Sequence, residues 1–259
     1  MTTSTDPNPD DFSDDFSFLY RWITNPSGES VTRPARLLRF GLGPPIGTVE
    51  IISRERYTHL AGHRVFARHT ARFDVLVPAA FSARLAVRPG ICEPHRLAPL
   101  ADWHPFVLDD LSLMWCTIGD PALRHIAGLS GLRYLDLYST YVTDASGPVL
   151  AGLTGLEWLS LSYTRIGTSG VEHLGDLASL WRLSLRGTGI TDNALVALAR
   201  LPRLAWLSVA DTAVTSYGLE HLLARAPALQ WVAINGTPAA CEPRTLTLPR
   251  RPGVEFIEH

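Results

Sequence analysis

Residue types that carry out chemistry are few in this chain, and their spacing matches no catalytic or metal-binding motif. The three cysteines stand far apart, at Cys92, Cys116 and Cys241. That spacing supports neither a disulfide framework nor a CxxC zinc site. His59 and His63 have the i, i+4 spacing of some zinc ligands, but Leu60 stands where the HExxH motif has its glutamate. We therefore predict no metal site and no cofactor.

Further features of the sequence argue against an enzyme. All 23 basic residues are arginine, which excludes the phosphate-binding-loop, Schiff-base and protein-kinase chemistries, because each of them needs a lysine. The Gly-Leu-Gly stretch at 41–43 is followed by two prolines, which cannot open the helix of a dinucleotide-binding turn. Asp109 and Asp110 are adjacent, so on a strand they point to opposite faces. The sequence predicts no catalytic residue.

An internal repeat sets the elements that would position any site. Its six units begin at Leu108, Leu132, Leu156, Leu180, Leu204 and Leu229. Four of the spacings are 24 residues and the fifth is 25. The common pattern is LxxLxLxxTx[IV]xxxxxxxL, and positions within a unit are numbered below as columns from its first leucine. A fixed period of this length is the signature of a solenoid.

The residue type found in each column of the repeat has a physical explanation. Leucines of the fourth and sixth columns, such as Leu135 and Leu137, have the period of two that turns both side chains inward from a strand. The ninth column is Cys116 in the first unit and threonine in the others, and we expect its hydroxyl to bond the backbone of the adjacent coil. The thirteenth column holds Asp, Thr or Ser, the types that cap helices. The fifteenth column is always small, as close helix–strand packing requires.

This pattern resembles the leucine-rich-repeat family, in its variety with a helical convex side and threonine at the usual asparagine or cysteine position. The resemblance covers residues 108 to about 240. It implies an α/β solenoid, a short horseshoe whose parallel strands line a concave face with helices outside. It also implies a function in binding other proteins, as an inhibitor, sensor or adaptor, and a bacterial-like repeat type.

The sequence divides into three segments. Residues 1–17 contain five aspartates and predict a disordered acidic tail, without the basic start and apolar centre of a secretory signal, so we expect a cytoplasmic protein. Residues 18–105 contain strand-like stretches and predict a β-rich amino-terminal cap or small domain. Its Leu85, Val87, Leu97 and Leu100 fit a degenerate extra coil. Residues 106–259 form the predicted repeat domain, with a last strand within 246–259 as its carboxy-terminal cap.

Charge is distributed unevenly along the chain. Residues 18–105 hold 12 Arg against 6 Asp or Glu, whereas residues 106–259 hold 11 Arg against 14 acidic residues. The basic excess suggests an anion or nucleic-acid site at Arg54, Arg56, Arg64, Arg68 and Arg72, of which the last three would share one face of a helix. A solvated face, or a docking site for the acidic tail, explains the same charges. The stretch matches no nucleic-acid module, so a nucleic-acid partner is not the leading prediction.

The third column forms the candidate binding site. Its residues flank inward leucines and therefore point out of the concave face as a ladder roughly 24 Å long, made of Asp110, Tyr134, Trp158, Arg182, Trp206 and Trp231. Neighbouring columns add Asp136, Tyr138, Arg186 and Tyr163 to the candidate partner-binding residues. Tyr, Trp and Arg are enriched at interface hot spots. Two other interpretations remain: cross-strand aromatic pairs that stabilise the sheet, or a face covered by the amino-terminal segment.

The sequence therefore predicts a non-catalytic protein–protein interaction module that binds a macromolecular partner through its concave face. The first alternative is the anion or nucleic-acid site, whose binding would weaken steeply with salt. The second is a catalytic amino-terminal domain that uses the repeats as a substrate receptor, which requires a pocket of convergent polar groups within residues 18–105.

Overall fold

The repeat folds into a stack of coils around a continuous core. In the computed structural model, the structure describes residues 36–38, 47–53, 65–70, 75–77, 81–88, 94–241 and 253–257. Within these ranges each repeat unit contributes one three-residue strand followed by a short helix. The predicted α/β solenoid is confirmed.

One sheet runs through the described part of the chain. The described strands are β1 (Arg36–Leu38), β2 (Gly47–Ser53), β3 (Val65–Thr70), β4 (Val75–Val77), β5 (Phe81–Val87), β6 (Asp110–Ser112), β7 (Tyr134–Asp136), β8 (Trp158–Ser160), β9 (Arg182–Ser184), β10 (Trp206–Ser208), β11 (Trp231–Ala233) and β12 (Glu255–Ile257), and all of them except β1 and β4 belong to this sheet. The main sheet has ten strands in the order β12-β11-β10-β9-β8-β7-β6-β5-β2-β3, and β1 pairs with β4 separately. Strands β5 to β12 are parallel, whereas β2 is antiparallel to both β5 and β3. Along the parallel strands β6 to β11, each residue pairs with the residue of the same column in the next strand.

Short helices cover one face of this sheet. The α-helices are α1 (Asp120–Leu123), α2 (Gly147–Gly152), α3 (Thr168–Glu172), α4 (Asp192–Leu198), α5 (Ser216–Arg225) and α6 (Pro238–Cys241), and the 3-10 helices are Pro94–Asp102, Arg124–Ile126, Asp144–Ser146 and His173–Asp176. No helix in the described ranges has the length and apolar character that a membrane crossing requires.

The repeat leucines form a single core between the sheet and the helices. In β7 and the residue after it, Leu135 and Leu137 are fully buried, and the equivalent residues of the other coils are equally inaccessible. Ile118, Val142 and Ile166 of the eleventh column bury themselves against the same core from the turn. Because each coil exposes its leucines to the next, burial is complete only in the stack.

The threonine column closes the turn of its own coil. Each threonine hydroxyl donates to the carbonyl oxygen three residues earlier, as Thr164 does to Leu161 at 2.7 Å and Thr140 does to Leu137 at 2.8 Å. The expectation of a bond to the adjacent coil is therefore wrong for the threonines. In the first unit it is the thiol of Cys116 that lies against the neighbouring coil, with its Sγ 3.9 Å from the Arg88 carbonyl oxygen.

The thirteenth column joins neighbouring coils, so the N-cap prediction is wrong. The N-cap of α4 is Thr191, and the Asp192 carboxylate accepts from the Thr215 amide (2.8 Å) and hydroxyl (2.6 Å) of the next coil. Asp120 accepts in the same way from Thr143. Burial works to raise the pKa of Asp120, but hydrogen bonds from Ser146 and Thr143 outweigh it and hold the pKa below its usual range.

The same carboxylates explain the small fifteenth column. A side chain at Gly218 would place its Cβ against the Asp192 carboxylate, and one at Gly170 would lie 2.7 Å from Oδ1 of Asp144. In the second unit Ser146 fills this position and donates its hydroxyl to Asp120. At these three positions a carboxylate of the preceding coil leaves room only for a small residue, whereas Thr168 holds the corresponding position before Ala194.

The segment before the repeats continues the same stack. Leu85 of β5 pairs with Leu111 of β6 in the register of the repeats. Leu85, Val87, Leu97 and Leu100 are all buried, which confirms the extra coil. The predicted closing strand is confirmed as β12. The division at residues 17 and 105 stays a prediction, and the acidic tail lies outside the described residues.

Core truncation is expected to be costly. Leu159→Ala removes a fully buried side chain from β8 and should lower the free energy of unfolding by about 2–5 kcal/mol, because a cavity adds to the lost transfer free energy. Chemical denaturation measures this. Ser169→Ala, at an exposed position of α3, is the control and should change stability by no more than about 0.5 kcal/mol. Equal losses in the two variants would contradict the placement of the core.

The inter-coil carboxylate is expected to couple to the glycine beneath it. Asp192→Ala should cost about 1–3 kcal/mol, because the Thr215 amide loses its acceptor. Gly218→Ala should also destabilise, since its Cβ meets the same carboxylate. In the double variant the collision is gone, so the summed losses should exceed the measured loss by about 0.5–3 kcal/mol. Strict additivity in denaturant unfolding would show that the two residues do not contact.

Candidate functional site

The third column forms the predicted ladder along the face of the sheet opposite the helices, called the ladder face below. The register places Tyr134, Trp158, Arg182, Trp206 and Trp231 side by side on β7 to β11. The ladder continues at both ends, to Asp110 and Arg84 on one side and to Glu255 on the other.

The ladder is less exposed than the sequence predicts. Its four aromatic side chains are half-buried, and Arg182 retains only 5% of its accessible surface. The guanidinium carbon of Arg182 lies 4.2 Å from the ring centroid of Trp206, within the range of a cation–π interaction. At the ends, Nε1 of Trp231 donates to Glu255 at 3.1 Å, and Arg84 lies 3.5 Å from Asp110. Contacts within the ladder therefore cover part of each side chain.

Beside the ladder runs a row of small polar residues in the fifth column. Ser112, Ser160 and Ser208 retain 4%, 5% and 4% of their accessible surface, and the half-buried Ser184 shares a 2.7 Å hydrogen bond with the Ser162 hydroxyl. In β7 the row is interrupted by an acid. These short side chains make the floor of the ladder face, with longer side chains on either side.

Asp136 is that acid. It is buried, although a carboxylate in a binding site would be expected to be exposed to solvent. It retains 9% of its accessible surface and accepts a 3.0 Å hydrogen bond from the Tyr138 amide. Burial raises the pKa of Asp136 to about 6, against the opposing effects of that hydrogen bond, the charge of Arg84 and the Ser160 hydroxyl. The group therefore changes charge close to neutral pH.

The eighth column adopts a left-handed backbone in every coil. The φ angles there are 60° at Trp115, 53° at Ser139, 55° at Tyr163, 64° at Gly187, 54° at Asp211 and 70° at Gly236. The turn that follows each strand imposes this conformation on whichever residue occupies the column. Glycine adopts it without strain, whereas a residue with a Cβ is disfavoured by roughly 1–2 kcal/mol.

Side chains of the seventh and eighth columns form a second feature, the rim cluster, defined as Trp115, Tyr138, Tyr163, Arg186 and Asp211. The Tyr138 ring packs edge-on against Trp115 and Tyr163, at centroid distances of 5.1 and 5.3 Å. Arg186 forms a 2.7 Å ion pair with Asp211 and lies 5.7 Å from the Tyr163 ring. Trp115 and Tyr163 remain 42% and 41% exposed.

All nine predicted partner-binding residues thus lie on one face, but they divide between two features. Tyr134, Trp158, Arg182, Trp206 and Trp231 belong to the ladder, Tyr138, Tyr163 and Arg186 belong to the rim cluster, and Asp136 lies in the floor between them. The residues predicted from the sequence did not include Trp115 and Asp211, which complete the rim cluster. The sequence did contain a signal for them. Gly187 and Gly236 indicate that the eighth column has a backbone that favours glycine, so other residues in that column are unusual.

The other candidate residues are only partly described. Arg68 lies exposed on strand β3, so residues 65–70 do not form the helix on which Arg64, Arg68 and Arg72 would share one face. Arg54, Arg56, Arg64 and Arg72 lie outside the described residues, as do His59 and His63. Within the described ranges no group of three or more His, Cys, Asp and Glu side chains is placed to hold a metal ion.

The coil geometry defines the class of the protein. Parallel three-residue strands, leucines buried between sheet and helices, and a threonine that closes each turn make this a leucine-rich-repeat fold. The predicted leucine-rich-repeat fold is confirmed.

Comparison with known proteins gives structural neighbours of the same class. Internalin C2 from Listeria monocytogenes is 29% identical with a TM-score of 0.45, over 55% of this chain and 57% of that one. The mouse RP105/MD-1 complex is 20% identical with a TM-score of 0.45, over 54% and 23%. The TLR13–ssRNA13 complex is 24% identical with a TM-score of 0.44, over 64% and 22%. No protein-family model and no curated protein matches the chain.

The buried acid is expected to make stability depend on pH. A raised pKa means that folded Asp136 holds its proton more tightly than the unfolded chain does, so stability falls as pH rises from 3.8 through about 6. Above that window the cost is about 3 kcal/mol. Asp136→Asn removes this cost. The free energy of unfolding of the variant, relative to that of wild type, should therefore rise by about 3 kcal/mol as the pH increases from 4 to 7, as measured by denaturant unfolding.

The control for this experiment is Asp176→Asn, which removes a carboxylate that is 91% exposed on the helical side. Its difference from wild type should stay nearly constant across the same pH window, because solvent screens an exposed charge. A pH-independent difference for Asp136→Asn would show that its carboxyl is not buried in the folded protein.

Proposed function

We propose that this protein is a non-catalytic binding module whose ladder face binds a protein partner. The observation that carries the proposal is the pair of exposed aromatic residues in the rim cluster. Trp115 and Tyr163 hold a left-handed backbone that Gly187 and Gly236 occupy in other coils. The chain therefore accepts strain at Trp115 and Tyr163 that its own glycines avoid elsewhere.

Burial of the two strained residues is incomplete. Tyr163 is 41% exposed and Trp115 is 42% exposed, so much of each ring remains in contact with water. Strained residues that the fold does not require concentrate at functional sites. Trp and Tyr are also the residues that most often dominate interface energetics, because they offer large rigid area with a polar handle. A binding surface explains both their conformation and their exposure.

The ladder and the rim cluster together give this surface its shape. The ladder occupies the third column, within the strand, whereas the rim cluster occupies the seventh and eighth columns, in the turn that follows the strand. The row of serines lies between them as a low floor. Aromatic and arginine side chains thus stand on either side of a row of short polar side chains that crosses β6 to β10. A protein loop or extended segment suits such a surface better than a small substrate, which needs a deep pocket.

Affinity capture from the native lysate tests the proposal. Trp158→Ala/Trp206→Ala alters the ladder, and Trp115→Gly/Tyr163→Gly alters the rim cluster without disturbing its backbone, since glycine suits this column. Wild type should recover a protein that both double variants recover at least tenfold less well, because truncating two anchors costs more than about 2 kcal/mol.

The matched control is Tyr217→Ala on the helical side, where the ring is 78% exposed. It should capture the partner as wild type does. Equal recovery by all four proteins would contradict a site on the ladder face. Recovery of nucleic acid alone, lost as salt is raised, would move the function to the basic amino-terminal segment.

A further inference from the structure

The tenth column carries long side chains in two neighbouring units. It holds Tyr141 in the second unit and Arg165 in the third, whereas the first, fourth and fifth units have Thr117, Gly189 and Ala213. The amides of Tyr141, Arg165 and Gly189 each donate to a carbonyl of the preceding coil, at 2.8, 2.9 and 3.1 Å. The backbone of this column is therefore held in the same way by long and small residues, and the fold does not need a long one.

The two long side chains stack on one another. The guanidinium carbon of Arg165 lies 4.9 Å from the ring centroid of Tyr141, within the range of a cation–π interaction. Tyr141 is nevertheless 50% exposed, and Arg165 is exposed as well. In the ladder, Arg182 also stacks on an aromatic ring, but it retains only 5% of its accessible surface. Arg165 is thus held against a ring without being covered.

Other arginines of the repeats face a carboxylate, and Arg165 does not. Arg133 donates two hydrogen bonds to Glu157, at 2.7 and 2.8 Å, and Arg186 forms its ion pair with Asp211. Among the ion pairs of the described ranges, none joins Arg165 to an acidic side chain. Its guanidinium therefore has a ring against one face and solvent at its N–H groups.

The acids of the adjoining turns are engaged elsewhere. Asp144 accepts from the amide of Gly167, which stands two residues after Arg165, and Asp120 accepts from Thr143. These carboxylates hold neighbouring coils together, so they do not neutralise the guanidinium that lies beside them along the chain.

Arg165 also adjoins the rim cluster. Tyr163 stands two residues before it, a separation of at most about 7 Å along the chain. Thr164, between them, retains 6% of its accessible surface, whereas Tyr163 is 41% exposed. A protein that covers the exposed ring of Tyr163 would therefore meet the guanidinium of Arg165 at the border of the same surface.

We propose that Arg165 is the anchor for a carboxylate, from an Asp or Glu side chain, of the protein that binds the ladder face. The proposal rests on the proposed function, because it names the chemistry that the partner presents. A planar guanidinium matches a carboxylate through two parallel N–H···O bonds. The ring of Tyr141 holds the guanidinium in place before the partner arrives, so less side-chain freedom is lost on binding.

The test begins with short random peptides displayed on phage and selected against the full-length protein. Peptides that bind wild type but not Trp115→Gly/Tyr163→Gly bind at the rim cluster and are synthesised. Each of their acids is then replaced by its amide, and affinities are measured at constant ionic strength. One such replacement should weaken binding to wild type at least tenfold, as expected when a charge-assisted hydrogen bond is lost.

Variants of the protein identify the residue that the acid contacts. Arg165→Gln should bind the acidic peptide and its amide copy equally. Arg165→Lys keeps the charge without the planar fork and should restore only part of the difference. Tyr141→Leu removes the ring beneath the guanidinium and should reduce the difference as well. Arg124→Gln, at an exposed position on the helical side, is the matched control and should keep all of it.

These variants are expected to fold, because both tenth-column residues are exposed and other coils hold glycine or alanine there. An acid preference that survives in Arg165→Gln would overturn the proposal, as would rim-binding peptides that show no acid preference. In either case a captured protein that the rim and ladder variants lose still supports the proposed function. If neither a peptide nor a captured protein is lost from those variants, the proposed function and the anchor fail together.

Discussion

The burial of leucine between successive coils is the constraint on which the rest of this structure depends. A coil of 24 residues contains one three-residue strand and a turn or so of helix, too little to enclose its own apolar side chains. Leu135 and Leu159 become inaccessible only because adjacent coils stack in register. Every other feature of the repeat either maintains that register or is left free by it.

Two columns maintain the register through hydrogen bonds. The threonine column returns its hydroxyl to its own turn, as Thr164 does, which satisfies a carbonyl that no ladder reaches. The acidic column reaches forward instead, and Asp192 satisfies the backbone of the coil that follows. One column therefore fixes the shape within a coil, and the other fixes the distance between coils. Residue types on the ladder face vary more from coil to coil than they do in either of these columns.

The fold could be predicted from the sequence because its information is periodic. Six leucine units identify the strand, the turn and the buried face without knowledge of any contact. Contacts between coils were harder to predict, because they depend on how far a side chain reaches. Asp120 has the residue type of a helix cap, and only the structure shows that its carboxylate bonds to Thr143 in the next coil. The sequence correctly indicates a conserved role for a polar residue in this column within the chain, but the hydrogen-bond partner lies in the next coil and not in the helix that follows.

The sequence correctly predicts the face of the sheet on which the candidate residues lie, but not how exposed their side chains are. Alternation along the strand places Arg182 and Asp136 outward correctly, yet both are almost inaccessible. Alternation says which way a side chain leaves the backbone and nothing about its neighbours. Arg182 is covered through its stacking on Trp206, a contact between residues that lie 24 positions apart. The exposure of a side chain therefore depends on its neighbours in adjacent coils, and the residue type at one position does not predict it.

Departures from the columns concentrate on one side of the sheet. The inward columns are nearly uniform, since a single mismatched leucine would leave a cavity in a shared core. On the ladder face, Asp136 replaces serine at a cost in desolvation, and Trp115 and Tyr163 hold a left-handed backbone that glycine occupies in two other coils. Unfavourable choices that converge on one face are what a binding surface requires, because interactions with a partner can offset costs that the folded chain alone does not.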